Sequence, residues 1–299
     1  MSQSRLLDMS RYEPDVSEVR ARIKEYRAVQ WTVRITFSLL RGASGIFIGW
    51  SLLLTFPAQA QMPVEVTYAE GLVHGFLELR GMDGELLAHG DLAQVPHGKH
   101  VSSHLVFRFK DGSVHDETVE FSQQRVFKVL NYHLVQSGPV FKVPMDVRID
   151  GSTGEVLIRY VDEDGDKKEE SERFELPSDL ANGMVPILLK NIPDNATQTT
   201  LSIIAATPKP RLVKFVISPE GEAKILAGGT TLKATKYRLK VEIGGVLGLL
   251  APLVGKQPQD SHAWVLGGSA PAFIRLEGPL FAGGPSWRID LASPVWQDQ

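Results

Sequence analysis

The chain has 299 residues and a mass of 33.0 kDa; 43% of it is hydrophobic and 22% charged, with 27 Gly, 18 Pro and no Cys. These proportions suit a packed globule and exclude wholesale disorder, a collagen-like repeat and a disulfide scaffold, while a single stretch approaching spanning length excludes a polytopic membrane protein. A formal charge of -3 gives no general attraction for nucleic acid.

Residues 1–30 are polar, with one segment, Glu18 to Arg27, able to form a short charged helix striped by Val19, Ile23 and Tyr26. Residues 31–60 read as a signal peptide. Arg34 and Arg41 precede an apolar run from Gly42 to Phe56, and Pro57-Ala58-Gln59-Ala60 follows with small side chains at the two alternate positions a signal peptidase reads. Cleavage between Ala60 and Gln61 is the expectation, which places the mature chain in the periplasm or outside the cell. An uncleaved anchor is the rival, opposed by the shortness of the run and its three glycines. Thirty polar residues are unusual ahead of a signal peptide, so residues 1–30 are read either as an extension or as a mis-assigned translation start near Val33. The remainder, 61–299, carries 24 basic and 30 acidic residues, a net of -6. With no Cys to cross-link it, its stability must come from its core.

From Pro63 onward the pattern has period two, broken by turn dipeptides. Leu105, Phe107 and Phe109 alternate with His104, Val106, Arg108 and Lys110 before Asp111-Gly112, and Val119 and Phe121 continue on the opposing strand. Asp83-Gly84, Asp150-Gly151 and Asp164-Gly165 repeat the device, and Glu220-Gly221 is a weaker copy. Strands are expected over Val126 to Val135, Val143 to Ile149, Glu155 to Val161, Leu212 to Ile217 and Leu232 to Ile243. The fold class expected is all-β: a strongly curved antiparallel sheet or open β-barrel with one or two short helices. The stretch from Pro177 through Leu189 reads as a small helical plug with Ser178 as N-cap, limited by Pro186. Pro208-Lys209-Pro210 is a stiff joint that could divide 61–206 from 211–299, although a single barrel needs no boundary there.

Seven of the eight histidines fall between His74 and His133. His97, His100 and His104 straddle a turn, which destroys the convergence their spacing would give on a helix, and His104 and His115 could face each other across a hairpin. Exposed strand histidines are the simpler account, and no metal site is expected. Asp162, Asp164 and Asp166 resemble alternate calcium ligands, but Gly165 is misplaced for such a loop, so a solvated hairpin tip is expected. No nucleophile motif and no phosphate loop is present, so no catalytic residue can be named and no cofactor is implied. The paired glycines at 228–229, 244–245, 267–268 and 283–284 read as bulges or bends.

Two features point to binding. Thirteen uncharged residues, Ile243 to Gly255, follow a strand of alternating polarity. They read as buried core or as a greasy loop at the mouth of a β-cup, whose contacts would be Leu247, Leu249, Leu250 and Leu253. The last 36 residues hold Trp264, Phe273, Phe281, Trp287 and Trp296, of which Trp264 and Trp287 are candidate pocket walls.

Leu176-Pro177-x-Asp179-Leu180-x-Asn182-Gly183, together with Tyr237-x-Leu239-x-Val241, lies in an exported chain of many short strands. In this layout the chain resembles uncharacterised exported bacterial envelope proteins of half-barrel type, and is distantly similar to the periplasmic lipoprotein carriers. It has no lipobox Cys and so is not itself a lipoprotein. The resemblance implies a concave sheet holding acyl chains under a lid of helical pieces, and it carries no binding residue across. The expected partner is therefore a hydrophobic small molecule or lipid. A structural or interaction module of the envelope, and a hydrolase using the His-rich first half, are the alternatives.

Overall fold

In the computed structural model, residues 63–227, 230–242 and 259–292 are described. They build one antiparallel sheet from β1 (Val73–Gly81), β2 (Leu86–His97), β3 (His100–Phe109), β4 (Val114–Gln123), β5 (Phe127–Ser137), β6 (Met145–Asp150), β7 (Glu155–Val161), β8 (Lys167–Arg173), β9 (Thr199–Ala205), β10 (Arg211–Ala227), β11 (Thr230–Glu242), β12 (Ser261–Leu266), β13 (Ala272–Pro279) and β14 (Ser286–Ala292). A single helix of five residues, α1 (Val185–Leu189), stands among them. The order across the sheet is β8-β7-β6-β5-β4-β3-β2-β1-β14-β13-β12-β11-β10-β9. All neighbours but β1 and β14 are consecutive hairpins, and β8 and β9 form the two edges, so the sheet is not closed into a barrel. Pro208 to Pro210 form the turn of the β9–β10 hairpin, with Ala205 paired to Arg211 across it.

The turn chemistry is visible in the backbone. Gly84, Gly112 and Gly165 hold φ of 92, 88 and 85°, in the left-handed region that L side chains avoid. Glu220-Gly221 is different: it is a β-bulge inside the 17-residue β10, where the register to β11 slips between Pro219 and Gly221, and not a hairpin. At Asp150-Gly151 the chain makes a longer turn, in which the Asp150 carboxylate accepts from the Ser152 and Thr153 amides.

The largest core cluster explains the sheet's shape. Val119, Tyr132, Ile149 and Ile158 from one half of the sheet share it with Leu201, Ile217, Leu239 and Val265 from the other, together with Leu180, Met184, Ile187 and Leu188. Strands that far apart in order meet around one short segment only if the sheet bends about it. Residues 179–192 are that filling. Gly183, at φ 70°, sits where a Cβ would lie 2.9 Å from Val119 Cβ, so the backbone itself packs against the sheet.

This segment corrects the expected helix start. Ser178 is exposed and caps nothing; the N-cap is Met184, without a side-chain cap, and Pro186 stands in the first turn. The reason is that Leu180 and Ala181, between two turns, run along the edge of β9. Asp179 O accepts from Ser202 N (3.1 Å) and Ala181 N donates to Ser202 O (2.9 Å). The Asn182 amide then donates to Ile204 O and accepts from Ile204 N, both at 2.9 Å, as a backbone unit would. The β9 edge is thus covered. The opposite edge, β8, is protected by charge: its sequence KKEESER is exposed throughout.

A strap crosses the same region. Val64 O accepts from Phe127 N, Val66 N donates to Arg125 O, and Asn191 Oδ1 accepts from the amides of Thr67 and Tyr68. Glu70 is tied to Lys190 at 2.6 Å, with both side chains largely buried.

Candidate functional site

Alternation along β2 to β7 sorts side chains onto an inner face, toward the filling, and an outer face. Register sets one row of inner positions side by side: Gly75, Leu92, Leu105, Glu117, Leu134, Val147 and Ile158, from β1 to β7. Leu134, Val147 and Ile158 are buried. Leu92, Leu105 and Glu117 keep accessible surface. Beyond Gly75, which has no side chain to fill the row, lie Val73 and Leu291 on the same face, 38% and 37% exposed. An accessible apolar trough therefore runs from Leu291 over Gly75, Leu92 and Leu105 and ends at a carboxylate. Four strand spacings give it a span of about 19 Å.

The polar end is buried enough to alter its chemistry. Burial pushes the Glu117 carboxyl above the ordinary range, against a hydrogen bond from Tyr132 Oη at 2.8 Å. Glu117 also retains some accessible surface, so the carboxyl can be reached from outside the core. Burial, and then the Glu117 charge, pushes the Tyr132 phenol up. One row away, buried His115 packs near Phe107 and Phe141, and its Nδ1 lies 3.1 Å from Gln136 Nε2. Burial holds the imidazole down at about 4, with the Asp116 charge opposing, so it is neutral at physiological pH. Both groups are committed to neighbours, and the arrangement offers polar anchors at the end of an apolar surface.

Glu117→Gln keeps the acceptor for Tyr132 while removing the ionisation. A carboxyl raised above its unfolded value near 4.5 opposes folding as the pH climbs past that value. The variant is therefore expected to melt higher than the parent near pH 8 and equally at pH 4, as read by circular dichroism across that range.

One end of the inner face is closed by aromatics. Trp287, 8% exposed, stands 5.6 Å from Phe109 and 5.7 Å from Phe281, and Phe141 completes the group. Trp287 belongs to the buried apolar cluster against which Leu92 and Leu105 pack. Trp264 lies on the opposite face, because its neighbours Ala263 and Val265 point inward. There it sits between Lys236 (5.6 Å) and Arg275 (5.9 Å) as a cation-π partner. The two tryptophans are not brought together. Leu247, Leu249, Leu250 and Leu253 lie outside the described residues.

The histidines divide by parity. His104 is on the outer face and pairs with Asp116 at 2.9 Å, while His115 is inside, so the two do not face each other as their hairpin positions suggested. His74 with Asp91, His133 with Asp146 and His100 with Glu120 repeat the outer arrangement, each bridging neighbouring strands. Among the described residues no three His, Asp or Glu gather as a metal-holding group. Asp162 caps its own hairpin tip, accepting from the amides of Asp164 and Asp166 and pairing with Lys168. An open groove of about 410 Å³ on the outer face includes Ser102, Glu120, Asn131 and His133; there Asn131 donates to Glu120, and His133 pairs with Asp146 beside the groove.

Sequence reasoning passed over Glu117, Leu92, Leu105 and Leu291. One signal was present: in Val114 to Phe121 a carboxylate stands on the same parity as Val119 and Phe121. Comparison of the chain with family models, with curated proteins and with solved structures finds no match.

Proposed function

We propose that this chain is an exported envelope protein that binds or carries a hydrophobic molecule of lipid type in the inner trough, its polar end held near Glu117 and Tyr132. The observation that carries the reading is the row in which Leu92 and Leu105 keep accessible surface on the inner face and lead to a carboxylate. Each buried methylene contributes about 0.8 kcal/mol, so an alkyl chain laid along this row gains affinity from length, and the paired polar groups set its orientation. The uncharged run with Leu247, Leu249, Leu250 and Leu253 serves, in this reading, as the contact with the donor or acceptor surface.

The test is solvent extraction and native mass spectrometry of the purified mature protein, beside Leu105→Trp, which fills the trough with an indole. The parent is expected to retain a co-purifying apolar mass, or to take up a fluorescent fatty acid. The variant should lose at least about nine-tenths of that loading while melting cooperatively. A parent that stays empty and takes up no probe, or a variant that loads equally, overturns the proposal.

A further inference from the structure

β10 and β11 outrun their neighbours. β9 pairs only with Arg211 to Ile217, and β12 only with Ala234 to Leu239. Residues 218–227 and 230–233 continue as a two-stranded arm, and among the described residues no strand lies along the outer edge of β10 from Ser218 to Ala227. A free edge of this length offers unpaired amides and carbonyls, which folded proteins normally cover or use. Leu226 near the tip is 66% exposed.

The side chains on the arm carry an unresolved charge pattern. Lys224 and Lys233 are direct cross-strand partners, an unfavourable pairing. Glu222, on the same face, reaches Lys233 at 3.3 Å. Among the described residues no carboxylate reaches Lys224.

We infer that the β10 edge of the arm pairs antiparallel with the same edge of a second copy of this chain, centred on Ala223. An isologous contact of this kind places residue i opposite residue j and j opposite i. Centring on Ala223 sets Glu222 opposite Lys224 of the second copy, twice by symmetry. Each Glu222 then stands between Lys233 of its own chain and Lys224 of the other, and the uncompensated lysine gains its carboxylate. On the other face Gly221 comes opposite Ile225 of the second copy, and no atom lies within 4 Å of where a Gly221 Cβ would be. The small Ala223 lets the two edges approach on the axis. The inference does not depend on the lipid reading, since the arm is separate from the trough.

Sedimentation velocity across a concentration series tests it. The parent is expected to show a reversible monomer–dimer equilibrium. Glu222→Lys alone and Lys224→Glu alone each set like charges opposite and should weaken dimerisation by about tenfold or more. The double swap Glu222→Lys with Lys224→Glu restores opposite charges and should recover most of the parent affinity. Thermal melts of the single variants check that the fold is intact. A parent that stays monomeric at about 0.1 mM, singles that dimerise like the parent, or a double swap that fails to rescue overturns the inference.

Discussion

Asn182→Ala is expected to lower the melting temperature by roughly 5–20 °C, whereas Ser178→Ala, four residues earlier, changes it by no more than about 1–2 °C. The Asn182 side chain is the last rung of the segment that covers β9, and it satisfies both the amide and the carbonyl of buried Ile204. Truncation removes both bonds at once. A buried backbone group left without a partner costs about 1–3 kcal/mol, so the pair costs roughly 2–6 kcal/mol. Ser178 is exposed and holds no helix end. Thermal denaturation followed by circular dichroism separates the alternatives: were Ser178 the cap of a helix from 178 onward, its loss would be the costly one. Asn182→Ala should also raise aggregation near the melting point, since it uncovers part of a strand edge that β8 instead defends with charge.

The strands were legible because two local signals agreed. Alternating polarity fixed which residues share a face, and Asp-Gly fixed where hairpins turn, so Glu155 to Val161 emerges with the expected bounds. The same dipeptide logic misled at Glu220-Gly221, because a left-handed glycine serves a bulge as well as a turn, and only the partner strand distinguishes them. The plug was half legible. Met184 to Leu189 reads as helical from its apolar spacing, but Asp179 to Asn182 follows no local propensity. Its conformation is imposed by β9, which is next in sequence yet needs a cover along its edge. The trough was the least legible, because it is a row across strands and depends on register. Leu92, Leu105 and Glu117 are distant in sequence and become neighbours only when β2, β3 and β4 are aligned. The histidines turned on the length of one loop: a two-residue turn at Asp111-Gly112 would set His104 and His115 on one face, but Phe109 N donates to Ser113 O around three residues, and that register places them on opposite faces.

Acid should expose the buried imidazole. His115 is 3% exposed, flanked by Phe107 and Phe141, and held down to about 4 by burial, compared with 6.5 when free. Between those values the unfolded chain binds a proton that the folded chain refuses. The stability contributed by a neutral His115 is therefore fully present above pH 6.5 and is lost as the pH falls toward 4. A shift of this size corresponds to a loss on the order of 3 kcal/mol. In His115→Gln, which cannot titrate and can still meet Gln136, that segment of the pH dependence should flatten. The outer pairs, His74 with Asp91, His104 with Asp116 and His133 with Asp146, are exposed and are present in both proteins, so they cancel in the difference. Chemical denaturation at half-unit steps from pH 7 to 4 measures it. Parallel curves for parent and variant would mean that the imidazole reaches solvent, and hence that the aromatic group around Trp287 does not seal its end of the inner face. A gap that is small at pH 7 and opens in favour of the variant as the pH falls to 4 would locate the proton uptake at His115 and establish that this end is dry.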